Sequence, residues 1–422
     1  MEPVSVSAPA SDLPPRVRVK NVQLSNYTDD EKFYYKKLKT SDQTKIAEIE
    51  SRMQEINSTA VPLRFKIITS NVEESIKAIA MQKLDQIYSL EPSSDEYHKI
   101  LHWIESVVSI PFGIYKTLPV DKESKVDDIK TFIKSIKHTM DHEVYGHADA
   151  KDQIIRLLAQ WISNPQSKGL VIGIQGAMGT GKTTLVKDAI CKVLGLPFAF
   201  VPLGGVSDSA YLVGHSYTYV GSTWGRIVDV LIKSKCMNPV VFFDELDKVS
   251  STSRGDDIIN ILIHLTDSTQ NDKFNDKYFT GIEFDLSRSL VIFSYNDEDK
   301  INPILRDRMV RIRTDGYKSK DKIAICQQYM IPSINAEFGL AGQDKVVFSD
   351  EIIHQIISKI EKEQGVRNLK RALYDVVSNI NLMKILDGAD ATGSDCKVTE
   401  KQVAKFISAP TKNDDVSRMM YV

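Results

Sequence analysis

Residues Gly176, Ala177, Met178, Gly179, Thr180, Gly181, Lys182 and Thr183 follow the pattern G-x-x-x-x-G-K-[ST]. Glycines at 176, 179 and 181 let the backbone N–H groups curl around phosphate oxygens, where a helix N-terminus also favours an anion. Lys182 adds a compact positive charge for the β- and γ-phosphates, the Thr183 hydroxyl is a ligand for Mg²⁺, and Thr184 continues the same turn. The pattern therefore implies a site for a nucleoside triphosphate with Mg²⁺. Downstream, the run Pro239, Val240, Val241, Phe242, Phe243 ends in Asp244-Glu245. A carboxylate at Asp244 would hold the metal through water, and one at Glu245 would polarise the attacking water, which turns binding into a case for hydrolysis.

Those groups need rigid supports. The apolar run Leu170, Val171, Ile172, Gly173, Ile174 reads as a buried strand that delivers the glycine loop. Leu185, Val186, Ile190, Val193 and Leu194 recur at helical spacing, so a helix begins at Thr183. Residues 239–243 suit the central strand of a parallel sheet, with the acidic pair at its C-terminal end beside the nucleotide crevice. The expected fold is α/β, a P-loop parallel sheet with helices around it.

With 422 residues, 42% of them hydrophobic and 26% charged, the chain is globular and exceeds one ordinary domain. No apolar run approaches the roughly 18 residues of a membrane span, and the N-terminus lacks a signal-peptide core, so no membrane is expected and the location reads as cytoplasmic. A net charge of −2 makes no case for nucleic acid. Cys191, Cys236, Cys326 and Cys396 lack zinc or redox spacing and read as reduced structural thiols.

Residues 1–25 are rich in Pro, Ser, Ala and Val and read as a flexible tail. Ile46, Ile49, Met53 and Ile56, then Ile76, Ile79, Met81, Leu84 and Ile87, predict two helices interrupted at Pro62, a hairpin, a coiled coil or, preferred because two heptads are too few for a stable coil, a plain helical spacer. Ile100, Leu101, Trp103 and Ile104 continue a helix up to the turn at Pro111 and Gly113. Ile129, Phe132, Ile133, Ile136 and Met140 mark another. His98 with His102, and His138 with His142, sit on single helix faces without a full ligand set, and read as surface or packing residues.

Further motifs carry a resemblance. Leu203-Gly204-Gly205-Val206-Ser207-Asp208, Gly214-His215-Ser216-Tyr217-Thr218-Tyr219-Val220-Gly221 and Asp244-Glu245-Leu246-Asp247-Lys248 resemble the AAA+ module of Lon proteases. Leu305-Arg306-Asp307-Arg308-Met309 and Glu363-Gln364-Gly365-Val366-Arg367-Asn368-Leu369 follow in the same order, and the likeness runs from about Glu48 to about Ile407. The resemblance implies Asn296 as the sensor 1 amide, Arg308 as an arginine finger reaching a neighbouring subunit, with Arg306 as its competitor, and Arg367 as sensor 2 on a C-terminal lid. It implies Tyr219 and Val220 as a pore loop that grips extended polypeptide. Ser216 and Tyr217 replace a usual Arg pair, and Trp224 a usual Pro, so this loop is more aromatic and less basic. Residues 278–286, with Gly281 at a turn, are expected to form a hairpin ahead of sensor 1.

No segment of the 422 residues resembles the family's Ser and Lys peptidase site, so peptidase activity is not expected. Helices at 323–329, 352–360, 369–386 and 400–407 and a short strand at 396–398 would complete the lid. The expected organisation is a tail (1–25), an N-terminal helical region (26–140), an AAA+ nucleotide-binding core (141–315), an all-helical lid (316–410) and a second tail (411–422). The resemblance implies a homo-oligomeric, hexameric ring that remodels or threads protein substrates at the expense of ATP. Three alternatives stand beside that reading: a motor for a separate peptidase chain, a nucleic-acid motor, and a regulatory ATP-binding assembly module.

Overall fold

The computed structural model describes residues 27–58, 61–164, 170–219, 221–249, 252–387 and 397–407. The chain forms two compact units, the first ending at Ser70 and the second beginning at Asn71. In the first, helices span Asp29–Lys37, Thr40–Ser58 and Leu63–Thr69. Thr28 and Glu31 close a capping box at the start of the first of these, and Pro62 precedes the last. Ile49 and Met53, expected on an apolar stripe, are half exposed or more.

The second unit is built on a five-stranded parallel sheet of order β2-β3-β6-β1-β7. Its strands are β1 (Val171–Gln175), β2 (Phe198–Pro202), β3 (Val240–Asp244), β6 (Leu290–Tyr295) and β7 (Val310–Arg313). Two short strands, β4 (Phe274–Asn275) and β5 (Glu283–Phe284), form a separate antiparallel hairpin that begins ahead of the expected 278–286, with Gly281, at φ +87°, between them. β1, β3 and β6 are almost wholly buried, as continuous apolar strands covered on both faces must be. Burying each of their Val, Ile or Phe side chains contributes roughly 1.5–3 kcal/mol. β3 is interior, as expected, but the middle place belongs to β6.

Because all five strands run the same way, the residues just past β1, β3, β6 and β7 meet along one edge, where ligands bind in open parallel sheets. The helix after β1 starts at Lys182, becomes π-helical over Leu185–Cys191 and ends at Leu194. It buries Leu185, Val186, Ala189 and Ile190 against Ile172, Ile174, Val240 and Phe242. Helix Val126–Glu143 adds Ile136 and Met140 to the same core, and helix Ala148–Ser163 adds Ile154 and Leu158.

A second core belongs to the C-terminal helices Ser319–Ile325, Ile331–Glu337, Asp350–Lys359, Arg367–Asp387 and Glu400–Phe406. Ile334, Phe348, Ile353, Ile356, Leu369, Leu373 and Val403 form its centre. The first two helices are joined through a π-helical stretch, Cys326–Met330, so the predicted helix at 323–329 extends beyond its expected end. Instead of a strand at 396–398 there is one bridge between Val347 and Lys397, and Cys396 lies outside the described residues. Cys191, Cys236 and Cys326 are buried free thiols, and burial raises the pKa of each. Among the described residues no helix is long and apolar enough to cross a membrane.

Candidate functional site

The glycine loop leaves β1 at Gly176, whose N–H donates to Tyr295 O of β6 (3.1 Å). Gly179 and Gly181 take φ of +75° and +85°, a region that a side chain makes costly. The loop is held from several sides. Thr180 Oγ1 donates to Ala177 O (2.9 Å) and meets Thr314 Oγ1 past β7 (3.3 Å). The Thr180 carbonyl lies 2.9 Å from His147 Nε2 and accepts from Tyr317 Oη at 2.9 Å. His147 is half-buried, and the desolvation lowers its pKa; it stands at φ +54° just ahead of helix Ala148–Ser163.

Lys182 Nζ donates to Gly176 O (2.5 Å), Ala177 O (3.0 Å) and Asn296 Oδ1 (2.9 Å). The last contact joins the loop after β1 to the residue just past β6. Burial pulls the ammonium below its ordinary pKa, while the charges of Asp244, Asp247 and Glu245 pull it back up. Asp244 ends β3 and accepts a short hydrogen bond from Ser294 Oγ of β6. The same hydroxyl accepts from Glu245 N at 3.3 Å.

Glu245 occupies the left-handed region at φ +61°, where a residue with a Cβ is strained by on the order of 1–3 kcal/mol. Its carboxylate lies against Gly204, where an added Cβ would overlap Glu245 Oε2. The strained turn runs directly into the short 3₁₀ turn Leu246–Lys248. There Asp247 Oδ2 accepts from Asp297 N (3.2 Å), fixing the backbone next to Asn296. Asp247 is 6% exposed, and its Oδ1 is buried without a hydrogen-bond partner among the described residues.

These residues line one cleft of about 970 Å³ between the sheet edge and the C-terminal helices. It receives Met178, Gly179, Thr180, Gly181, Lys182, Thr183, Thr184, Asp244, Glu245, Asp247, Asn296 and Arg367. Its lining also includes the apolar and aromatic Val144, Tyr145, Ile325, Tyr329 and Met330 and the charged Glu143, Asp188, Glu337, Lys370 and Arg371. The segment just ahead of helix Arg367–Asp387 touches the glycine loop directly: Val366 N donates to Gly179 O (3.1 Å), and an added Cβ on Gly365 would overlap Met178 O. A Cβ on Gly179 would come within 3.0 Å of Arg367 N. Glu363 accepts from Asn368 N and Leu369 N, both at 3.0 Å, and so caps the helix that begins at Arg367.

Of the residues singled out by sequence, Arg308 is not among those lining the cleft. Its guanidinium donates to Ile263 O and to Asp267 Oδ2 (2.9 Å) at the end of helix Ser253–Thr266. Tyr219 is likewise elsewhere, 68% exposed at the tip of its loop, and Val220 lies outside the described residues. His147, Thr314, Tyr317, Asp247, Ser294 and Gly204 carry no signal by type alone. Gly204 and Asp247 had a local signal, their places in the Leu203–Asp208 and Asp244–Lys248 motifs.

Residues 143–317 match the model of the ATPase family associated with various cellular activities (AAA). The chain is 35% identical over 336 residues to a Lon protease homolog of Acanthamoeba polyphaga mimivirus, covering 78% of this chain and 32% of that protein. It is 36% identical over 341 residues to the Lon protease of Desulfosudis oleivorans, covering 81% and 40%. With the Lon protease of Dictyoglomus thermophilum it shares 33% identity over 368 residues, covering 87% and 43%. The chain thus spans less than half the length of these relatives.

Proposed function

We propose, from the premise that this chain carries an AAA ATPase domain of the Lon type, that it couples ATP hydrolysis to unfolding or threading of protein substrates. The observation that carries the hydrolytic half is the contact between Lys182 Nζ and Asn296 Oδ1, with Asp244 and Glu245 lining the same cleft.

ATP with Mg²⁺ fits the donor set. Backbone amides of residues 176–183 form a glycine cradle for phosphate oxygens, and the unpartnered Asp247 Oδ1 lies in the same pocket as Asp244 and Thr183. Thr183 and Asp244 would hold the metal, which supplies charge neutralisation at the phosphates. The adenine would sit among the apolar and aromatic Val144, Tyr145, Tyr329 and Met330. Lys182 neutralises phosphate charge, Asn296 orients the attacking water, and Glu245 takes its proton. Arg367 binds the γ-phosphate from the C-terminal helices, so that occupancy of the cleft is felt by the lid.

Arg308 lies outside its own cleft, paired with Asp267, and would serve a neighbour's nucleotide in a hexameric homo-oligomeric ring. Arg306 remains its competitor for that role. In such a ring Tyr219, with Val220 beside it, would present aromatic and branched surface to an extended polypeptide, in a cytoplasmic setting. Peptide cleavage is not part of the proposal for these 422 residues. That these relatives are named Lon proteases favours one second reading, a motor serving a separate peptidase chain.

The test is a paired assay of nucleotide binding and turnover. Glu245→Gln should bind ATP as the wild type does while hydrolysis falls roughly 10²–10⁴-fold, the usual contribution of a positioned base. Loss of affinity in step with turnover would remove Glu245 from the role of base.

A further inference from the structure

The loop that carries Tyr219 is pinched at a neck of two glycines. His215 N donates to Thr223 O (3.2 Å), and a Cβ on Gly214 would come within 2.8 Å of Gly225 N. A Cβ on Gly225 would overlap Leu212 O, so the two backbones cross as closely as backbones can. Beyond the neck the loop is held by two other parts of the fold.

One is the helix pair Glu74–Ile87 and Asp95–Ser109. Lys83 and Lys99 lie over the ring of Tyr217 at 4.7 and 4.8 Å, and Lys99 Nζ also donates to Thr218 O (3.2 Å). His102 stacks on Trp224 with centroids 5.1 Å apart and planes at 21°. The other is the β4–β5 hairpin. Tyr278 meets Tyr217 and Trp224 edge-on at 5.6 and 5.9 Å, and is hydrogen-bonded to His102 Nδ1 at 3.1 Å. Asp276 accepts from Gly225 N (2.8 Å) at the neck itself.

Tyr217 and Trp224, the departures that made this loop aromatic, thus face inward onto the helix pair and the hairpin, while Tyr219 stands exposed. We infer that Lys83, Lys99 and His102 are positioning residues that anchor the loop, so that force on Tyr219 passes into the helix pair through Tyr217 and Trp224. A loop fixed only at a glycine neck would swing about it. With cation–π contacts on one flank and stacking on the other, the tip is displaced together with the helices. The inference rests on the reading of Tyr219 as the gripping residue, and the experiment separates the two.

Amide hydrogen exchange of residues 215–224 would be measured in the full chain with ADP for Lys99→Ala, His102→Ala, the double variant and Lys99→Arg. Lys99 and His102 lie outside the cleft, so basal ATP turnover should stay unchanged. Each single alanine variant should speed exchange of that segment by about two- to five-fold, the factor that losing one cation–π or aromatic contact corresponds to. The double variant should exceed either, and exchange in β1, β3 and β6 should not change. Lys99→Arg keeps a cation over Tyr217 and should restore the slow rate, which mere loss of packing would not explain. Unchanged exchange at 215–224 in the double variant would overturn the anchoring. Tyr219→Ala, assayed in parallel for unfolding of a tagged substrate, judges the grip separately: raised exchange upholds the anchor whichever way that assay falls.

Discussion

Two loops dominate this molecule, and they are held in opposite ways. The glycine loop at 176–183 is clamped along its length by Tyr295, Thr314, His147 and Tyr317, and is touched on its outer side by Gly365 and Val366. The loop at 215–224 is fastened at its neck and flanks while its tip residue, Tyr219, is exposed. On the proposed function, the difference follows from what each loop would do. Charge developing on a phosphoryl group is stabilised best by dipoles that need not reorganise, whereas a side chain that grips changing sequences needs a firm base and a free end.

Substitutions in the clamped loop should therefore cost most. Lys182→Ala removes the cation and its link to Asn296, and ATP affinity should fall roughly 100-fold or more, the scale of about 3 kcal/mol for a charge-assisted contact. Titration with a fluorescent ATP analogue reads this directly. Affinity within a few-fold of wild type would mean that the backbone cradle alone carries binding, and the contrast between the loops would weaken.

Gly204→Ala sharpens the contrast, because Gly204 leads from β2 towards the Tyr219 loop while touching Glu245. A Cβ there would overlap Glu245 Oε2 and displace the carboxylate. A displacement near 1 Å lowers turnover by on the order of 10²-fold, with ATP binding retained. Steady-state hydrolysis beside equilibrium binding separates the two. Unchanged turnover would show that Glu245 acts from a position free of Gly204.

The parts of this account legible in the sequence are those with local signals. Continuous apolar runs mark β1, β3 and β6 because strands covered on both faces have no polar positions to spare. The edge strands β2 and β7 escaped notice: Phe200 and Val310 are about 40% exposed, Pro202 closes β2, and arginines alternate along β7. Helix Ile331–Glu337 was hidden by Pro332, which is harmless in a first turn. In the cleft, Lys182, Asp244, Glu245 and Asn296 were legible from motif and order. Gly365 stood within the Glu363–Leu369 motif, but His147, Thr314 and Tyr317 were not legible, because each acts on the glycine loop across a long stretch of chain. Tyr217 and Trp224 were visible as departures, and their role became plain only beside Lys83, Lys99 and His102.

A smaller effect probes the clamp through pH. Burial holds the His147 pKa below the ordinary 6.5, helped by Lys151, and opposed by the Thr180 carbonyl and Asp315. The unfolded chain therefore takes up this proton first as the pH falls. Its contribution to stability should be level above pH 6.5 and decline as the pH is lowered through that value. His147→Asn, with a residue that tolerates the left-handed backbone at this position, should flatten that slope in melting curves recorded from pH 7.5 to 5.5. An identical slope in the variant would assign the pH dependence to other groups.

The central claim, that ATP turnover in the clamped loop drives work at the exposed one, is tested most directly by following unfolding of a tagged, weakly stable fluorescent protein by the purified chain. The account predicts loss of fluorescence that requires ATP and Mg²⁺, disappears in Glu245→Gln, and disappears in Tyr219→Ala while that variant still hydrolyses ATP. Steady ATP hydrolysis by the wild type with the substrate left folded, or full unfolding by Tyr219→Ala, would contradict it.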